Sequence, residues 1–471
     1  MLTYSFADLN GESMYTHLYK CIKKDILART LRAGEKLPSK RTLAKNLGVS
    51  LITVENAYAQ LQVEGYIYSL PKRGYYVEKV EQKPASEPRE TPAVPPQLPQ
   101  KPVYYADLTS SNVPEDTFPY NIWAKLLRRT LTTVDEHSLL EDNSAGGVLP
   151  LRRAIAKHLY GFRGMDVAPE QIIIGAGTQI LYNLLVQLLG REKTYALEDP
   201  GYPQLAAIYG ANNISCRYLA MDKEGISAKT VEASGAQILH LSPSHQFPTG
   251  IVMPISRRCE LLDWAGRGTG RYIIEDDYDC EFRLYGRPIP SLQSIDKEEK
   301  VIYTNTFSKT LAPTFRISYL ILPPHLAALF YEKLGFYAGT VSNFEQFTLA
   351  KFIDGGYFER HLNRMRTYYR NKRDEVLKYL AECSAASALE VEGEDSGLHF
   401  LLHLATDAAD SELAGAAAKQ GIRVKFLSAY FHAKKSDASH TLLMNYTGLA
   451  NDHLYPALDR LFTAIGPYLK T

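Results

Sequence analysis

Cysteine is scarce in this chain, and so is net charge. The 471 residues include five cysteines at scattered positions without paired spacing, so neither a disulfide framework nor a zinc site is expected. The sequence contains no run of eighteen apolar residues that would predict a membrane-spanning helix. The first residues, MLTYSFADLN, lack the basic and apolar segments of a secretory signal. These absences predict a cytoplasmic protein with reduced thiols.

The net charge of +1 conceals an uneven distribution. Residues 14–80 contain twelve Lys and Arg against five Asp and Glu, so the remainder of the chain is net acidic. A small basic segment on a weakly acidic body favours contact with a polyanion through that segment alone. A solvated charged surface would have the same composition, so charge by itself leaves both interpretations open.

A proline-rich segment separates two parts of the chain. Residues 81–103 contain seven prolines and no aromatic residue. Such a composition cannot bury a core and favours extended conformations. We therefore predict an N-terminal domain over 1–80, a linker over 81–103 and a larger domain over 104–471.

The pattern of residues 14–80 predicts three helices followed by a hairpin. Ser39 and Ser50 stand where they can cap the second and third helices, and Gly48 lies between these helices. The stretch YIYSLPKRGYYV alternates around a Lys-Arg-Gly tip, as a two-stranded wing does. This order indicates a winged helix-turn-helix, whose last helix can enter the major groove of DNA; a generic small helical domain is the alternative.

From about residue 104 onwards, short apolar strands alternate with helices. QIIIGAG, TYALEDP, AQILHLSP, RYIIEDDY and KVIYTNTF are strand-like. This alternation predicts an α/β fold with a mostly parallel sheet, in which ligands bind at the carboxyl ends of the strands. After about residue 345, long helices and then a few strands predict a small C-terminal α+β subdomain.

Polar groups follow several of these strands. Residues 177–179 open a helix and can bind a phosphate through backbone N–H groups. Asp276 and Tyr278 are two residues apart and share one face of a strand end. A metal site is possible at this acidic run, but a carboxylate that faces a pyridinium nitrogen accounts for one of the acids without it. Lys309 would in isolation be a surface residue, although a desolvated lysine becomes a nucleophile toward aldehydes.

The order of these groups resembles that of fold-type I pyridoxal-phosphate enzymes. Together with the winged helix-turn-helix, the chain resembles the MocR subfamily of the GntR transcriptional regulators. The stretches that carry this resemblance are LPSKRTLAKNLGVS, EDPGYP, HQFPTG, EDDYDCEFR and TFSKTLAP. The resemblance implies an aminotransferase-like domain with a mostly parallel, seven-stranded sheet and helices on both of its faces.

The resemblance also implies pyridoxal 5'-phosphate as the cofactor, held by a Schiff base on Lys309, and no metal. Asp276 would pair with the pyridine nitrogen, Tyr278 would hydrogen-bond the phenolic oxygen, and Tyr202 would stack on the ring. The remaining implied cofactor contacts, several of them to the phosphate, are Gly177, Thr178, Gln179, His245, Thr306, Ser308 and Arg316.

Other positions depart from the pattern of related proteins. Phe247 stands where related aminotransferases carry an asparagine, and Gln204 stands at a position where an arginine often holds the carboxylate of the substrate. The C-terminal strand TLLMNYTGL has no arginine, although Arg423 lies upstream of it. The carboxylate clamp is therefore incomplete, and Gln204 and Arg423 are the residues left to contact an effector.

In the N-terminal domain, Arg41 matches a position that reads DNA in related regulators. Leu51 stands where many relatives have an arginine, which removes one expected contact. The DNA contacts implied by the resemblance are Ser39, Lys40, Arg41, Ser50, Thr53, Lys72, Arg73 and Gly74.

These features predict a DNA-binding transcriptional regulator that senses an amine or amino-acid-type effector, or the cofactor itself, at Lys309 and alters transcription of a metabolic gene. An active aminotransferase that also binds DNA is the alternative, and Gln204 argues against it. A third possibility is a DNA-binding protein whose body has lost the cofactor. The implied partners are a double-stranded DNA operator, a second copy of the chain in a head-to-tail, domain-swapped homodimer, and RNA polymerase, in a cytoplasmic, nucleoid-associated setting.

Overall fold

The structure is a computed structural model that describes residues 2–6, 9, 11–80, 102–109, 113–114, 117–142, 145–284, 289–395, 397–432, 439–449 and 451–470. The chain divides into two compact units, Met1–Lys101 and Pro102–Thr471. Residues 81–101 of the predicted linker lie outside the described residues, so the linker and the domain bounds stay predictions.

The first unit is a winged helix-turn-helix, as predicted. Ser39 and Ser50 begin the second and third helices, because each side-chain oxygen accepts a hydrogen bond at 3.1 Å from a backbone N–H three residues further on. Gly48 ends the second helix with a left-handed φ of 68°. The elements are α1 (Met14–Leu27), α2 (Lys40–Leu47), α3 (Leu51–Val63), β1 (Ile67–Leu70) and β2 (Gly74–Val77).

A seven-stranded sheet forms the centre of the second unit, which confirms the predicted mostly parallel sheet. Its order is β4-β10-β9-β8-β7-β5-β6, and only β10 runs antiparallel to its neighbours. Five of the strands coincide with predicted ones, whereas β6 and β10 were not predicted. The strands are β4 (Ile172–Gly175), β5 (Thr194–Asp199), β6 (Ser215–Ala220), β7 (Ile238–Leu241), β8 (Tyr272–Asp276), β9 (Val301–Thr306) and β10 (Ser318–Ile321).

Helices cover both faces of this sheet. Along β4, Ile172 and Ile174 pack in a core with α6 and α14, whereas Ile173 between them packs in a second core with α7 and α13. The alternation follows from the two-residue period of a strand. The helices of the second unit are α4 (Tyr120–Thr133), α5 (Glu136–Leu140), α6 (Leu149–Arg163), α7 (Thr178–Leu189), α8 (Pro203–Ala211), α9 (Ala228–Ser234), α10 (Ile255–Gly266), α11 (Leu292–Ile295), α12 (Phe307–Thr310), α13 (Pro324–Leu334), α14 (Asn343–Asp354), α15 (Tyr357–Glu382), α16 (Asp410–Lys419) and α17 (Leu454–Ile465).

The C-terminal part adds small sheets to the long helices, as predicted. An antiparallel sheet has the order β11-β12-β14, and β13 pairs in parallel with β3 near the start of the unit. None of the helices among the described residues is long and apolar enough to span a membrane. The remaining strands are β3 (Ala106–Asp107), β11 (Leu389–Glu392), β12 (His399–Leu404), β13 (Ile422–Arg423) and β14 (Thr441–Asn445).

Candidate functional site

A cavity of about 700 Å³ lies at the carboxyl edge of the seven-stranded sheet. The parallel strands all end at this edge, and the antiparallel β10 begins there, so Arg316 is delivered to the same place as the residues that follow β4, β5, β8 and β9. The cavity thus brings together predicted residues from distant parts of the chain. Those on its wall are Thr178, Tyr202, Gln204, Asp276, Tyr278, Thr306, Ser308, Lys309, Arg316 and Arg423.

Lys309 lies on α12, a short helix that follows β9 directly. The Thr306 hydroxyl begins this helix by accepting the Ser308 N–H at 3.1 Å. Ser318, at the start of β10, donates its hydroxyl to the same Thr306 oxygen at 2.8 Å. Ser318 therefore fixes the turn that carries Lys309.

The environment of Lys309 makes its amine unusually acidic. Burial lowers the pKa of Lys309 from 10.5 to about 8, and the nearby charges of Asp279 and Asp276 only partly oppose this effect. A much larger fraction of the amine is neutral near pH 8 than in an ordinary lysine. A neutral amine on a cavity wall is the form that attacks a carbonyl carbon.

Asp276 presents one carboxylate oxygen that has no hydrogen-bond partner in the part of the chain that the structure describes. Tyr182, on α7, donates to Asp276 Oδ2 at 2.7 Å, and His240 Nε2 lies 3.8 Å from the same oxygen. Burial and the adjacent Asp276 charge raise the pKa of Tyr182 well above its usual value, so Tyr182 stays a donor. Asp276 Oδ1 is buried without a hydrogen bond among the described residues. This oxygen fits an N–H donor in the cavity, such as a protonated pyridine nitrogen.

Tyr278 is held by two residues behind it. His245 Nδ1 lies 2.8 Å from Asp279 Oδ2 and 3.1 Å from the Tyr278 hydroxyl. A carboxylate only accepts, so Nδ1–H points to Asp279, and the Tyr278 hydroxyl also hydrogen-bonds the Asp279 side chain. Burial and the neighbouring carboxylates, Asp279 first, raise the pKa of Tyr278 well above its usual value, which keeps the phenol protonated. His245 therefore lies behind Tyr278 rather than on the cavity wall.

The acidic residues on either side of Asp276 contact different partners. Glu275 accepts two backbone N–H groups at the start of α11, at 2.8 and 2.9 Å. Asp277 forms a buried ion pair with Arg163 and accepts the Tyr303 hydroxyl at 2.8 Å. Within the described ranges no three potential metal ligands converge, so this run supplies Asp276 and Asp279 to the cavity and uses Glu275 and Asp277 in the core.

A candidate anion site lies where α7 begins. Gly177 has φ of 92°, and a Cβ added to it would lie 2.1 Å from Arg316 Nη2, so only glycine lets this guanidinium approach the helix N-terminus. The N–H groups and dipole of α7 favour negative charge at the same point. Thr178 and Ser308 line the cavity here, whereas the side chain of Gln179 is exposed and can contribute only its backbone N–H.

The wall away from this anion site carries few free cations. Arg423 Nη1 lies 3.2 Å from Asp107 Oδ2, so its charge is already balanced. Lys425, which was not predicted, lines the cavity, and its Nζ lies 5.3 Å from the centre of the Tyr430 ring, without an ion pair among the described residues. Asn445, the last residue of β14, lines the cavity as well.

Two uncharged rings complete this wall. His399 is opposite Asn445 in the β12–β14 ladder, and burial lowers its pKa well below its usual value, so it is neutral. Its Nε2 donates to the Pro248 carbonyl at 3.1 Å. Phe247 packs edge-on against Tyr202 with ring centres 5.9 Å apart. Phe247 thus replaces the missing asparagine with a contact that orients the Tyr202 ring.

In the first unit, the predicted DNA-contact residues fall into two groups. Ser39, Ser50 and Thr53 are engaged in the caps of α2 and α3. Lys40 lies 3.6 Å from Glu55, which balances part of its charge. Arg41, on α2, and Lys72 and Arg73, at the wing tip beside Gly74, have exposed side chains.

Comparisons with known proteins account for both units. Residues 14–77 match the bacterial regulatory proteins of the gntR family, and residues 107–434 match aminotransferase class I and II. The chain is 37% identical to the HTH-type transcriptional regulator YdeL of Bacillus subtilis over 96% of each chain. It is 31% identical to the probable rhizopine catabolism regulatory protein MocR of Rhizobium meliloti, over 93% of this chain and 90% of that one.

This chain belongs to the MocR-type regulators of the GntR family. The aminotransferase-like unit has the fold of the kynurenine aminotransferase of Pyrococcus horikoshii, with a TM-score of 0.66 and 24% identity over 78% of this chain and 91% of that one. MocR-type regulators are transcriptional regulators that join a DNA-binding unit to an aminotransferase-like one, which confirms the family and the main function predicted from the sequence.

Proposed function

We propose that this MocR-type regulator holds pyridoxal 5'-phosphate on Lys309 and senses an amine or amino-acid-type ligand at the same place. The observation that carries this proposal is the pairing of two groups in one cavity. Lys309 has its pKa lowered to about 8, and Asp276 offers a buried oxygen that has no hydrogen-bond partner among the described residues. A reactive amine and an unpaired hydrogen-bond acceptor are the two features that an aldehyde cofactor with a basic ring nitrogen requires.

The other wall residues fit the same cofactor. Asp276, fixed by Tyr182, would hold the proton of the ring nitrogen, and Tyr278 would donate to the phenolic oxygen. Arg316 and the start of α7 would bind the phosphate. When bound, the cofactor supplies covalent capture of amines and an electron sink. The protein supplies the orientation of the ring and the exclusion of water from Lys309.

The far wall supports an amino-acid-type ligand bound without an arginine clamp. Lys425 is a cation without an ion pair among the described residues, while Arg423 is neutralised by Asp107. The Asn445 carbonyl oxygen accepts from Thr447, at 2.7 Å from its hydroxyl, so the Asn445 amide offers its N–H groups. A carboxylate would meet Lys425 and Asn445 here. An amine without a carboxylate and the cofactor itself are the other effectors that this wall admits.

Ligand binding at Lys309 would alter transcription through the first unit. A ligand shifts the balance between two arrangements of the units only if it binds one of them more tightly. We propose that the working form in the cytoplasm is a head-to-tail homodimer on an operator with repeated half-sites, and that RNA polymerase is the further partner.

The alternative function is an aminotransferase that also binds DNA. The complete set of Lys309, Asp276 and Tyr278 favours it, because these are the groups that such a reaction uses. Apart from Arg316 at the start of α7, the described cavity wall has no arginine without an ion pair, and this disfavours it. Sustained conversion of an amino acid with a keto-acid acceptor would establish the enzyme, whereas a single conversion of the bound cofactor without turnover supports the regulator.

The test of the proposal is spectroscopic. The purified full chain is incubated with pyridoxal 5'-phosphate and dialysed, and its visible absorbance is recorded during titration with D- and L-amino acids, amines and dipeptides. We expect a bound-cofactor band that one ligand class shifts, and we expect Lys309→Ala to lose the band. Lys333→Ala, in the last turn of α13, is the matched control and should keep it. A wild-type chain without any band would contradict the proposal.

A further inference from the structure

The exposed face of α3 carries no cationic side chain. The helix sequence LITVENAYAQLQV contains neither lysine nor arginine. Leu51 and Ile52, its first two residues, are 38% and 67% exposed. Ile52, Asn56 and Ala59 follow one another at helical spacing on the exposed side, opposite the buried Val54. The face that a recognition helix offers to a base pair is therefore mostly apolar, with the amide of Asn56 and, one turn further on, that of Gln60, which donates to Glu64.

The cationic side chains near α3 suit contacts with phosphates and not with bases. Arg41, Lys72 and Arg73 are exposed on α2 and at the wing tip, on either side of α3 in the chain. They suit the phosphates that flank a groove. Glu55, the only acid within α3, lies 3.6 Å from Lys40 and is occupied by it. The Asn56 side chain makes no hydrogen bond within the part of the chain that the structure describes, so its amide is free to contact a base.

We propose that α3 reads A·T base pairs. In the major groove, thymine presents a C5-methyl group that apolar side chains contact, and adenine presents N7 and N6, which asparagine bonds as a pair. Guanine is read by arginine or lysine, and α3 has neither. Leu51 and Ile52 would pack against thymine methyl groups, and Asn56 would bond adenine one turn further into the groove.

The placement of these residues agrees with the way such helices enter DNA. The N-terminal residues of a recognition helix contact base edges while neighbouring elements hold the backbone. Ser50 and Thr53 are tied together in the N-terminal cap, so they fix the start of α3 rather than the identity of a base. Val63, at the other end of α3, is 84% exposed and serves as a matched apolar control. The inference rests on the DNA binding that the proposed function includes.

The test begins with selection of binding duplexes from a random double-stranded library by the full-length protein. The enriched duplex is then rebuilt with uracil in place of thymine, which removes only the methyl group, and separately with 7-deazaadenine, which removes only N7. We expect affinity to fall several-fold with uracil and about tenfold with 7-deazaadenine at the positions that α3 faces. Fluorescence anisotropy at fixed salt measures both.

Two variants assign the effect to α3. Ile52→Ser should abolish the sensitivity to uracil at the thymine that Ile52 contacts, and Val63→Ser should keep it. Both side chains are exposed, so both proteins should have the thermal unfolding midpoint of the wild type. The positions at which Ile52→Ser no longer selects thymine identify the bases that face α3.

Three outcomes would overturn the inference. Enrichment of G·C pairs at the positions that Ile52→Ser alters is one, and equal affinity for thymine and uracil duplexes is another. Selection that enriches no sequence, although the protein still retains DNA, is the third and leaves DNA binding itself intact. A wild-type protein that retains no DNA even at low salt would contradict the proposed function as well.

Discussion

Charged residues lie in opposite settings in the two units of this chain, lining a cavity in one unit and exposed to solvent in the other. In the aminotransferase-like unit, Lys309 and Asp276 line a half-buried cavity, and neighbours decide their protonation and hydrogen bonds. In the DNA-binding unit, Arg41 and Lys72 are exposed, and short caps hold the helices that carry or adjoin them. Burial changes the protonation and the hydrogen bonding of a side chain. An exposed side chain keeps its ordinary chemistry, and its position decides only which partner it contacts. Substitutions should therefore act differently in the two units.

The largest contrast is expected for ion pairs. Arg163 and Asp277 form a pair whose side chains are each 1% exposed. Arg163→Met leaves the Asp277 charge buried and unpaired, which should lower the free energy of unfolding of the second unit by about 3–5 kcal/mol. Tryptophan fluorescence during urea unfolding measures this directly, because Trp123 and Trp264 both lie in the second unit.

A pair in the first unit provides the control. Lys23 and Glu64 lie 2.9 Å apart with side chains 31% and 27% exposed. Lys23→Met should lower the free energy of unfolding of the first unit far less than Arg163→Met lowers that of the second, because solvent screens the pair. If Arg163→Met lowers the free energy of unfolding no more than Lys23→Met does, buried and exposed ion pairs do not differ as the comparison requires.

A second effect concerns pH. The Lys309 pKa is lowered from 10.5 to about 8 by burial, so the neutral amine should appear as the pH rises through about 8. We expect the rate of cofactor capture by the cofactor-free protein to rise with pH and to level off above about 8. The unfolded chain keeps this proton up to about 10.5, so the contribution of Lys309 to stability increases with pH between these two values. Stopped-flow absorbance measures the capture rate between about pH 6 and about pH 11, a range that includes both pKa values.

A charge variant tests the cause of this pKa. The Asp279 carboxylate raises the pKa of Lys309 against the effect of burial. Asp279→Asn should therefore move the midpoint of the capture profile below that of the wild type. A midpoint that moves upwards instead, or a wild-type profile that still rises near pH 10.5, would show that Lys309 is not desolvated in the way the structure indicates.

The smallest effect is expected at a helix cap of the first unit. The Ser50 hydroxyl accepts the Thr53 N–H at 3.1 Å at the start of α3. Ser50→Ala should cost about 1 kcal/mol, because one backbone donor loses its partner. Hydrogen exchange followed by mass spectrometry should show weaker protection in α3, while the exchange of the seven-stranded sheet stays unchanged. Equal loss of protection in that sheet would mean that the two units do not respond separately.

Much of this arrangement was predictable from the sequence. The caps at Ser39 and Ser50 follow from local residue types, and five strands follow from their apolar runs. The place of Lys309, Asp276 and Tyr278 at one edge follows from the rule that parallel strands end together. These features depend on short-range patterns or on a general property of the fold.

The features that were not predictable depend on contacts between distant segments. Tyr182 holds Asp276 from 94 residues away, and on an apolar helix a tyrosine indicates only a core position. His245 contacts Tyr278 instead of the cavity, because Gly397 leaves room for its ring: a Cβ on Gly397 would lie 1.9 Å from it. Lys425 follows a strand of only two residues, which is too short to show a hydrophobic periodicity in the sequence. The antiparallel direction of β10 also comes from tertiary pairing alone.

The central claim is that Lys309 couples an amine ligand to the DNA-binding unit. The most direct test incubates the wild type and Lys309→Ala with pyridoxal 5'-phosphate and measures their affinity for the selected duplex by fluorescence anisotropy, with and without the ligand that shifts the absorbance of the wild type. We predict that the ligand changes the affinity of the wild type, and that Lys309→Ala binds the duplex as the ligand-free wild type does but no longer responds. A Lys309→Ala protein that still responds to the ligand as the wild type does would contradict the account.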